Sequence, residues 1–179
     1  MQCYAAVLDN SNYVLVGKKR FSNNYWGGQL TPGGNGQVNA AGQYCLPGGG
    51  SNNNEPYEVA AAREFLEETG FLLAPHLATF IDKYESEEGW ALCVFKVASV
   101  EQIALQINGN ISAGHPVGHP SSPNVRDWEL QRVLAVRRSN LSQFLGVFST
   151  LPPEATPAIP DRRNSIDWYS QMAAHLRYL

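Results

Sequence analysis

The fold of this chain is decided by the 23 residues GGGSNNNEPYEVAAAREFLEETG, Gly48 to Gly70. Three glycines and three asparagines precede a run of helix-forming residues. Gly70 predicts the end of that helix, because glycine readily takes the left-handed conformation that closes one. Five glutamates are crowded into the helix and its entry: Glu55, Glu58, Glu64, Glu67 and Glu68.

Three of these glutamates are predicted to share one side of the helix. At about 100° per residue, Glu64, Glu67 and Glu68 fall within a sector of about 100°. We expect the opposite side to dock against the core, and it carries Val59, Ala62, Leu66 and Thr69. The carboxylates are therefore predicted to point away from the core together.

Such a cluster of like charges favours a bound divalent cation. Carboxylates three and four residues apart repel by about 0.2 to 0.5 kcal/mol per pair, and Arg63 alone cannot balance three of them. Carboxylate oxygens are the ligands that Mg²⁺ and Mn²⁺ prefer, and Mg²⁺ commonly keeps positions for substrate phosphates. A solvated acidic helix face is the alternative. The glycine-rich entry favours the metal, because a backbone without Cβ atoms can approach closely and Gly48 or Gly49 could donate a carbonyl oxygen.

Residues 49–71 resemble the signature of the Nudix hydrolases, G-x5-E-x7-R-E-U-x-E-E-x-G-U, in which U is a bulky apolar residue. Every fixed letter is present, from Gly49 and Glu55 to the run Arg63 to Phe71. The two U positions, usually aliphatic, are Phe65 and Phe71, a departure that concerns packing alone. The similarity continues more loosely in Val14–Arg20, which resembles the family's second strand, and in Cys45–Gly49, which resembles the strand entering the signature.

The resemblance implies an α/β fold, an α/β/α sandwich with a mixed β-sheet. It also implies Mg²⁺-dependent or Mn²⁺-dependent hydrolysis of a nucleoside diphosphate linked to another moiety. Glu67, Glu68 and the carbonyl of Gly48 are then the metal ligands. Glu64 is a third ligand or the general base. We favour the ligand, because a carboxylate beside a cation is a poor base.

Two further residues of the signature resemble supports for the metal ligands. Arg63 would pair with the neighbouring glutamates and fix their rotamers, and Glu55 could accept that pairing from the loop. An ordinary surface salt bridge is the alternative reading.

The substrate side is expected to include Arg20, Trp26 and Glu87. Arg20 ends a strand that runs toward the phosphates in similar proteins, with Lys18 on the same face and Lys19 on the other. Trp26 could stack on a base, as could Tyr25 or Trp90, with ordinary packing as the alternative for each. Glu87, with Glu85 and Glu88, could supply the further loop glutamate that the family often recruits, or belong to a polar hairpin turn.

Residues 1–179 are predicted to form one domain with mixed strands and helices. Ser99 followed by Gln102 fits a capping box that starts a helix. The predicted strands are Tyr4–Leu8 and Tyr13–Lys19, which form a hairpin, with Leu77–Ile81, Trp90–Ala98 and Trp128–Val136. The predicted helices are Val100–Ile107, Leu141–Phe148 and about Ile166–Tyr178. Glycine-rich and proline-rich insertions at about 22–43 and 108–124 are predicted to be loops, and the first is a candidate lid.

The composition argues against several classes of partner. A net charge of −3 and a pI near 5.8 give no field that would gather nucleic acid or an anionic membrane. There is no signal-like N-terminus and no run of 18 apolar residues, so we expect a soluble, cytoplasmic protein. Cys3, Cys45 and Cys93 are expected to be reduced, packed thiols. The expected partner is a small molecule. Homodimers are common in the family, and the sequence carries no separate argument for one.

Two functions remain open: a phosphoanhydride hydrolase, and a Nudix-fold nucleotide-binding or regulatory module without turnover. The complete glutamate set favours the enzyme, because degenerate members usually lose these residues. The family's patterns for coenzyme A, NADH and ADP-ribose hydrolases are absent, and Tyr84 comes early for the tyrosine of diadenosine-type enzymes. Nucleotide sugars, ADP-ribose-type compounds, dinucleotides and nucleoside triphosphates all remain candidate substrates.

Overall fold

A computed structural model describes the chain at 1–19, 42–113, 130–146 and 162–179, with the backbone alone at 113 and 162–167. It also describes the backbone of four two-residue strands, β3 (Ser22–Asn23), β4 (Tyr25–Trp26), β5 (Gln29–Leu30) and β6 (Gly36–Gln37), which form the pairs β3–β6 and β4–β5. The rest of the predicted lid at about 22–43 lies outside this description. The single domain over 1–179 and the lid therefore stay predictions.

The main sheet contains seven strands: β1 (Gln2–Leu8), β2 (Tyr13–Lys19), β7 (Tyr44–Cys45), β8 (Gly48–Gly50), β9 (Ala78–Glu85), β10 (Trp90–Val97) and β11 (Leu130–Arg137). The helices are α1 (Tyr57–Thr69), α2 (Val100–Ala113) and α3 (Arg162–Arg177), with a 3₁₀ helix at Arg138–Gln143. The main strands follow the order β11-β2-β1-β10-β9, with β7 paired to β2 and β8 to β1. Strands β1 and β10 are parallel and the other pairs antiparallel, so the predicted mixed sheet is confirmed.

Strand β1 changes partner along one of its edges. Its far end pairs with β2 at Leu8 and Val14, whereas its first residues pair with Gly48–Gly50 of β8. The other edge pairs with β10 along the whole strand. Strand β2 thus diverges from β1, and the glycine strand occupies the space that it leaves.

Helices cover both faces of the sheet. Tyr4 of β1 packs against Tyr169 of α3, with ring centroids 5.5 Å apart. Cys3, the neighbouring residue of β1, pairs with Gly49, and this pair faces α1. Because successive strand residues point to opposite faces, α1 and α3 lie on opposite sides of β1. The α/β/α layering expected from the resemblance is confirmed.

The prediction of which side of α1 docks was wrong in the main: of the four predicted residues, Thr69 is buried and Ala62 is partly buried against the core. The buried residues of this helix are Ala60, Ala61, Phe65, Glu68 and Thr69, and Val59 is 51% exposed. The docking side is turned by roughly 100° from the predicted one. Small alanines let the helix lie close to β1 and β8, and Phe65 packs edge-on against Phe71. The glutamates consequently flank the contact between helix and sheet instead of pointing away from it.

The buried residue Asp9 (4% exposed) connects the first hairpin to α2. Its Oδ1 accepts hydrogen bonds from the amides of Ser11 and Tyr13, at 2.8 and 3.1 Å, and its Oδ2 accepts one from Val100 at 2.9 Å. The predicted cap is also present, with the Gln102 amide donating to Ser99 Oγ at 3.3 Å. One carboxylate thus fixes both the turn and the start of a helix.

Helix α2 continues through 108–113, so the prediction that 108–124 is irregular was wrong for those residues. The side chain of Asn108 donates to the Val133 carbonyl at 2.9 Å and accepts from the Val133 amide at 2.8 Å. Ile107 and Ile111, one turn apart, are buried. Tertiary contacts therefore outweigh the low helix propensity of glycine and asparagine. The remainder of that loop lies outside the described ranges.

Other element boundaries also differ from the predicted ones. Strand β9 continues to Glu85, beyond the predicted Ile81, and α3 begins at Arg162 instead of Ile166. The helix predicted at Leu141–Phe148 is the 3₁₀ segment, which ends at Gln143. Gly70 closes α1 in the left-handed conformation with φ 65°, as predicted.

All three cysteines are free and buried, as predicted. Burial raises the pKa of the Cys3 thiol, and it raises the pKa of Cys93 to about 12. Within the described ranges, each helix is too short or too polar to cross a membrane.

Truncating Phe65 to alanine is expected to lower the free energy of unfolding by about 3 to 5 kcal/mol, because its fully buried ring would leave a cavity. The measurement is urea unfolding followed by circular dichroism. Leu72→Ala is the matched control, since Leu72 is 57% exposed and should cost well under about 1 kcal/mol. Equal losses in the two variants would contradict the assigned docking side of α1.

Candidate functional site

Gly48 and Gly49 of the glycine strand β8 lie where a Cβ would overlap neighbouring atoms. It pairs with β1 so that Gly48 faces Tyr4 and Gly49 faces Cys3. A Cβ on Gly48 would overlap the Cys3 carbonyl and lie 2.7 Å from Tyr4 Cα. A Cβ on Gly49 would overlap the carboxylate of Glu64. The glycines therefore let the strand lie against β1 and the glutamate helix at once.

The loop between β8 and α1 is folded around the carboxylate of Glu55. The Asn52 amide donates to Glu55 Oε2 at 2.8 Å, and the Glu55 amide donates to the Asn52 carbonyl at 3.2 Å. Asn54 adopts a left-handed conformation with φ 60°, which asparagine tolerates better than most residues. The asparagine run thus forms a compact turn that leads Glu55 toward the helix.

Arg63 is the centre of the polar network, and all five of its N–H groups are donated within the protein. Its Nε and Nη2 bind the two oxygens of Glu55, each at 3.0 Å. Its Nη1 donates to Glu64 at 2.7 Å and to Glu67 at 3.1 Å. The second Nη2 bond goes to the Gly50 carbonyl at 2.8 Å. One side chain therefore joins the loop, the glycine strand and two glutamates.

This network shifts the protonation of its members. Hydrogen bonds from Arg63 are the largest cause that lowers the pKa of Glu55, and the Asn52 amide adds to the effect. The same contacts, first those with Glu55, raise the pKa of Arg63. Glu55 is consequently held as an anion at neutral pH.

The three candidate ligands differ in environment. The side chains of Glu64 and Glu67 are 16% and 27% exposed and share the Arg63 Nη1, whereas Glu68 is buried at 8%. The charge of Glu64 contributes to the raised pKa of Cys3, and that of Glu68 contributes to the raised pKa of Tyr4, after burial in each case. Glu64 and Glu68 therefore act on adjacent residues of β1. In the part of the chain that is described, no three His, Cys, Asp or Glu side chains already form a metal-binding group.

The donor chemistry nevertheless fits a hard divalent cation. Three carboxylates lie within about one turn of α1, and the absence of a Cβ at Gly49 lets the Glu64 carboxylate lie directly against the glycine strand. Oxygen donors of this kind suit Mg²⁺ and Mn²⁺.

Tyr4 lies beside the glycine strand and was not among the residues predicted for the site. Tyr4 is 7% exposed, and burial raises its pKa to about 12. The positive charge of Lys19 acts on the Tyr4 hydroxyl in the opposite sense to Glu68. Lys19, at the end of strand β2, is therefore near the Tyr4 hydroxyl. The predicted role of Arg20 stays a prediction. Strand alternation assigns the residues of β2 to two faces, but it does not say which of these faces lies toward the candidate site.

The predicted substrate-side residues are placed only in part. Arg20 and the side chain of Trp26 lie outside the described residues, although Trp26 belongs to β4. Glu87 is exposed in the turn between β9 and β10. That turn reaches the glycine end of β1, because the Gln2 amide donates to the Gly89 carbonyl at 3.0 Å. Glu87 therefore lies at the same end of the sheet as the glycine strand, and its predicted role stays a prediction.

The other residues considered for the substrate side have structural contacts. Glu85 pairs with Lys83 at 2.6 Å, and Glu88 accepts from Gln171 of α3 at 3.1 Å. Trp90 is fully buried, 5.3 Å from Tyr84 between ring centroids, so it packs in the core and does not present a face to a base.

A family model described as NUDIX domain matches residues 3–117. No protein of curated function matches the sequence. Among solved structures, a MutT protein from Methanosarcina mazei Go1 is 18% identical, over 96% of this chain and 92% of the other, with a TM-score of 0.42. A Nudix hydrolase from M. smegmatis, RenU, is 13% identical over 98% and 81%, with a TM-score of 0.49. An Ap4A hydrolase from C. elegans is 11% identical over 98% and 99%, with a TM-score of 0.45.

Glu55 is expected to stabilise the fold in a pH-dependent way. Because its pKa is lowered in the folded state, its contribution is complete above the ordinary glutamate value of about 4.3 and is lost as the pH falls through the lowered value. The difference in unfolding free energy between the parent and Glu55→Gln should therefore shrink below about pH 4. Chemical denaturation from pH 7 to pH 2 measures it, with Glu101→Gln, on the exposed side of α2, as the control. A difference independent of pH would contradict the Arg63–Glu55 assignment.

Proposed function

Because the chain belongs to the Nudix family of hydrolases, we propose that it cleaves the phosphoanhydride linkage of a nucleoside diphosphate joined to another moiety, in a reaction that depends on Mg²⁺. The observation that carries the proposal is the guanidinium of Arg63, which holds Glu64 and Glu67 side by side next to the glycine strand. On a solvated acidic helix face, by contrast, the glutamates would not be expected to share one arginine that also binds the neighbouring strand.

The residues that would hold Mg²⁺, or Mn²⁺, are Glu64, Glu67, Glu68 and the carbonyl of Gly48. When bound, the cation supplies positive charge to the diphosphate oxygens and makes a bound water easier to deprotonate. The carboxylates carry the negative charge that attracts it, and Gly49 lets the strand lie directly against Glu64.

Arg63 is a positioning residue and not a substrate ligand. Each of its five N–H groups is already donated to a protein oxygen, so none is left for a phosphate. Its contact with Glu64 also favours the ionised carboxylate, since a hydrogen bond to the charged form stabilises that form. This supports Glu64 as a ligand over Glu64 as the general base.

On the substrate side, Arg20 is the proposed phosphate contact, Trp26 the proposed stacking surface and Glu87 the proposed additional carboxylate. The ligand is a small nucleotide derivative and not nucleic acid, because a net charge of −3 provides no general attraction for a polyanion. Three free buried thiols suit a reducing compartment, which supports the cytoplasm as the location.

The alternative is a nucleotide-binding module without turnover. The decisive experiment incubates the purified protein and Mg²⁺ with ADP-ribose, dinucleoside polyphosphates, NADH, coenzyme A, nucleotide sugars and nucleoside triphosphates. Release of a nucleoside monophosphate or of phosphate from one of them supports the enzyme. Binding of a nucleotide with no release from any compound supports the binding module.

On the compound that is cleaved, Glu67→Gln is expected to lower kcat by at least about 100-fold, because it removes the charge of a metal-binding oxygen. Steady-state kinetics with Mg²⁺ measures the effect, and circular dichroism checks that the variant is folded. Glu101→Gln on α2 is the matched control and should keep the parent rate. Activity of the Glu67 variant within a few-fold of the parent would reject the metal assignment.

Gly49→Ala should lower kcat by about 10-fold or more, because its Cβ displaces the Glu64 carboxylate and misplaced catalytic groups lose rate steeply. Gly109→Ala is the matched control: no atom outside α2 lies within 4 Å of a Cβ there, so the rate should not change. A Gly49 variant that is folded and as active as the Gly109 variant would show that the close contact with Glu64 has no role in turnover.

A further inference from the structure

A polar concavity lies at the end of the sheet away from the glutamates of α1. It has a volume of about 310 Å³ and is lined by Asn12, Arg137, Arg138, Ser139 and Arg177. Strand β1 has its glycine partners at one end and the turn before Asn12 at the other. At about 3.3 Å per residue its seven residues span about 20 Å. The concavity is therefore separate from the candidate metal site.

Three elements bring the arginines together. Arg137 is the last residue of β11, Arg138 opens the 3₁₀ helix, and Arg177 ends α3. Arg137 and Arg138 are consecutive, whereas Arg177 lies about 40 residues later and Asn12 near the start of the sequence, so the fold brings three separate segments together.

Two of the arginines are held in place. The Arg138 backbone amide donates to the Asn12 carbonyl at 2.8 Å, and its Nη2 donates to Asn12 Oδ1 at 2.5 Å. Asn12 is left-handed, with φ 65°. The Arg137 guanidinium lies over the ring of Tyr13, 5.0 Å from its centroid. Such contacts reduce the conformational entropy that an arginine loses when it binds a ligand.

No carboxylate balances these charges within the part of the chain that is described. The residues lining the concavity include no acid, and none of the three arginines forms an ion pair there. Asp9, three residues before Asn12, accepts from three backbone amides. The contrast with Arg63, which contacts three glutamates, is clear. Like charges gathered in this way repel each other, and an anion bound between them would remove the repulsion.

We propose that this concavity binds a small phosphate-bearing anion, either an inorganic phosphate or diphosphate or the phosphate group of a nucleotide. Guanidinium groups match phosphate oxygens with paired hydrogen bonds, and Asn12 and Ser139 add neutral polar groups. Ligand pockets commonly span about 300 to 1,000 Å³, so this one suits a compact ligand and not a polymer. The site is independent of the proposed hydrolysis, because none of its residues lies in the glutamate network.

The test is isothermal titration calorimetry of the full chain with inorganic pyrophosphate, at about 0.15 M salt and with EDTA to exclude metal-dependent binding at the glutamates. We expect one saturable site. Arg137→Gln and Arg177→Gln should each weaken the affinity by about 5-fold or more, since each removes a charged hydrogen-bond donor. A second titration with AMP separates the two sources: affinity equal to or above that of pyrophosphate indicates a nucleotide, and weaker affinity indicates the inorganic anion.

Lys96→Gln is the matched control, because Lys96 pairs in register with Leu8 at the same end of the sheet but does not line the concavity. It should leave the affinity unchanged. The proposal is overturned if pyrophosphate and AMP both fail to bind, if the two arginine variants bind like the parent, or if Lys96→Gln weakens binding as much as they do. Circular dichroism of each variant confirms that the fold is intact.

Discussion

The candidate site depends on one guanidinium group. Arg63 donates to Glu55 in the loop, to Gly50 in the glycine strand and to Glu64 and Glu67 on its own helix. Without it, two carboxylates would be held near each other with their mutual repulsion uncompensated, and the loop would lose the contact that fixes it against the helix. The interaction is partly shielded from water, since the side chain of Glu55 is 12% exposed, that of Glu64 16% and that of Arg63 29%. It is therefore screened less by salt than a surface salt bridge would be.

The sheet provides the place where this network can form. Strand β1 has β10 along one edge, but on the other edge β2 is its partner only at the far end. The glycine strand fills the position that β2 vacates, and its lack of side chains lets α1 lie close enough for Arg63 to reach the Gly50 carbonyl. The glycines and Arg63 thus belong to one arrangement. The glycines set the distance between loop and helix, and the arginine joins the loop to the helix.

The spacing of residues 49–71 was sufficient to predict the family, the layered fold, the end of α1 at Gly70 and the contact of Arg63 with Glu55. The helix end and the Arg63–Glu55 contact are local, because each depends on residues within about two turns of helix or one short loop, whereas the layered fold followed from the family resemblance. The docking side of α1 was predicted wrongly, because counting apolar residues ranks Val59 above Ala61, whereas close packing against β1 and β8 requires the smaller side chain. The extension of α2 depends on Asn108 and its partner Val133, 25 residues away, and sequence patterns do not record such a pair. Arg20 and the side chain of Trp26 lie outside the described residues, so their roles stay predictions.

The contact between Tyr4 and Tyr169 joins the first strand to the last helix. Tyr4 also lies opposite Gly48, and the Tyr169 hydroxyl donates to the Leu46 carbonyl at 3.4 Å. The rear wall of the glycine strand is therefore completed by residues from near both ends of this sequence. During synthesis, the first strand and the glutamate helix leave the ribosome long before Tyr169 does. Final closure of this region must then wait until α3 has been synthesised, and a nascent chain stalled before α3 would expose Tyr4 to solvent or to chaperones.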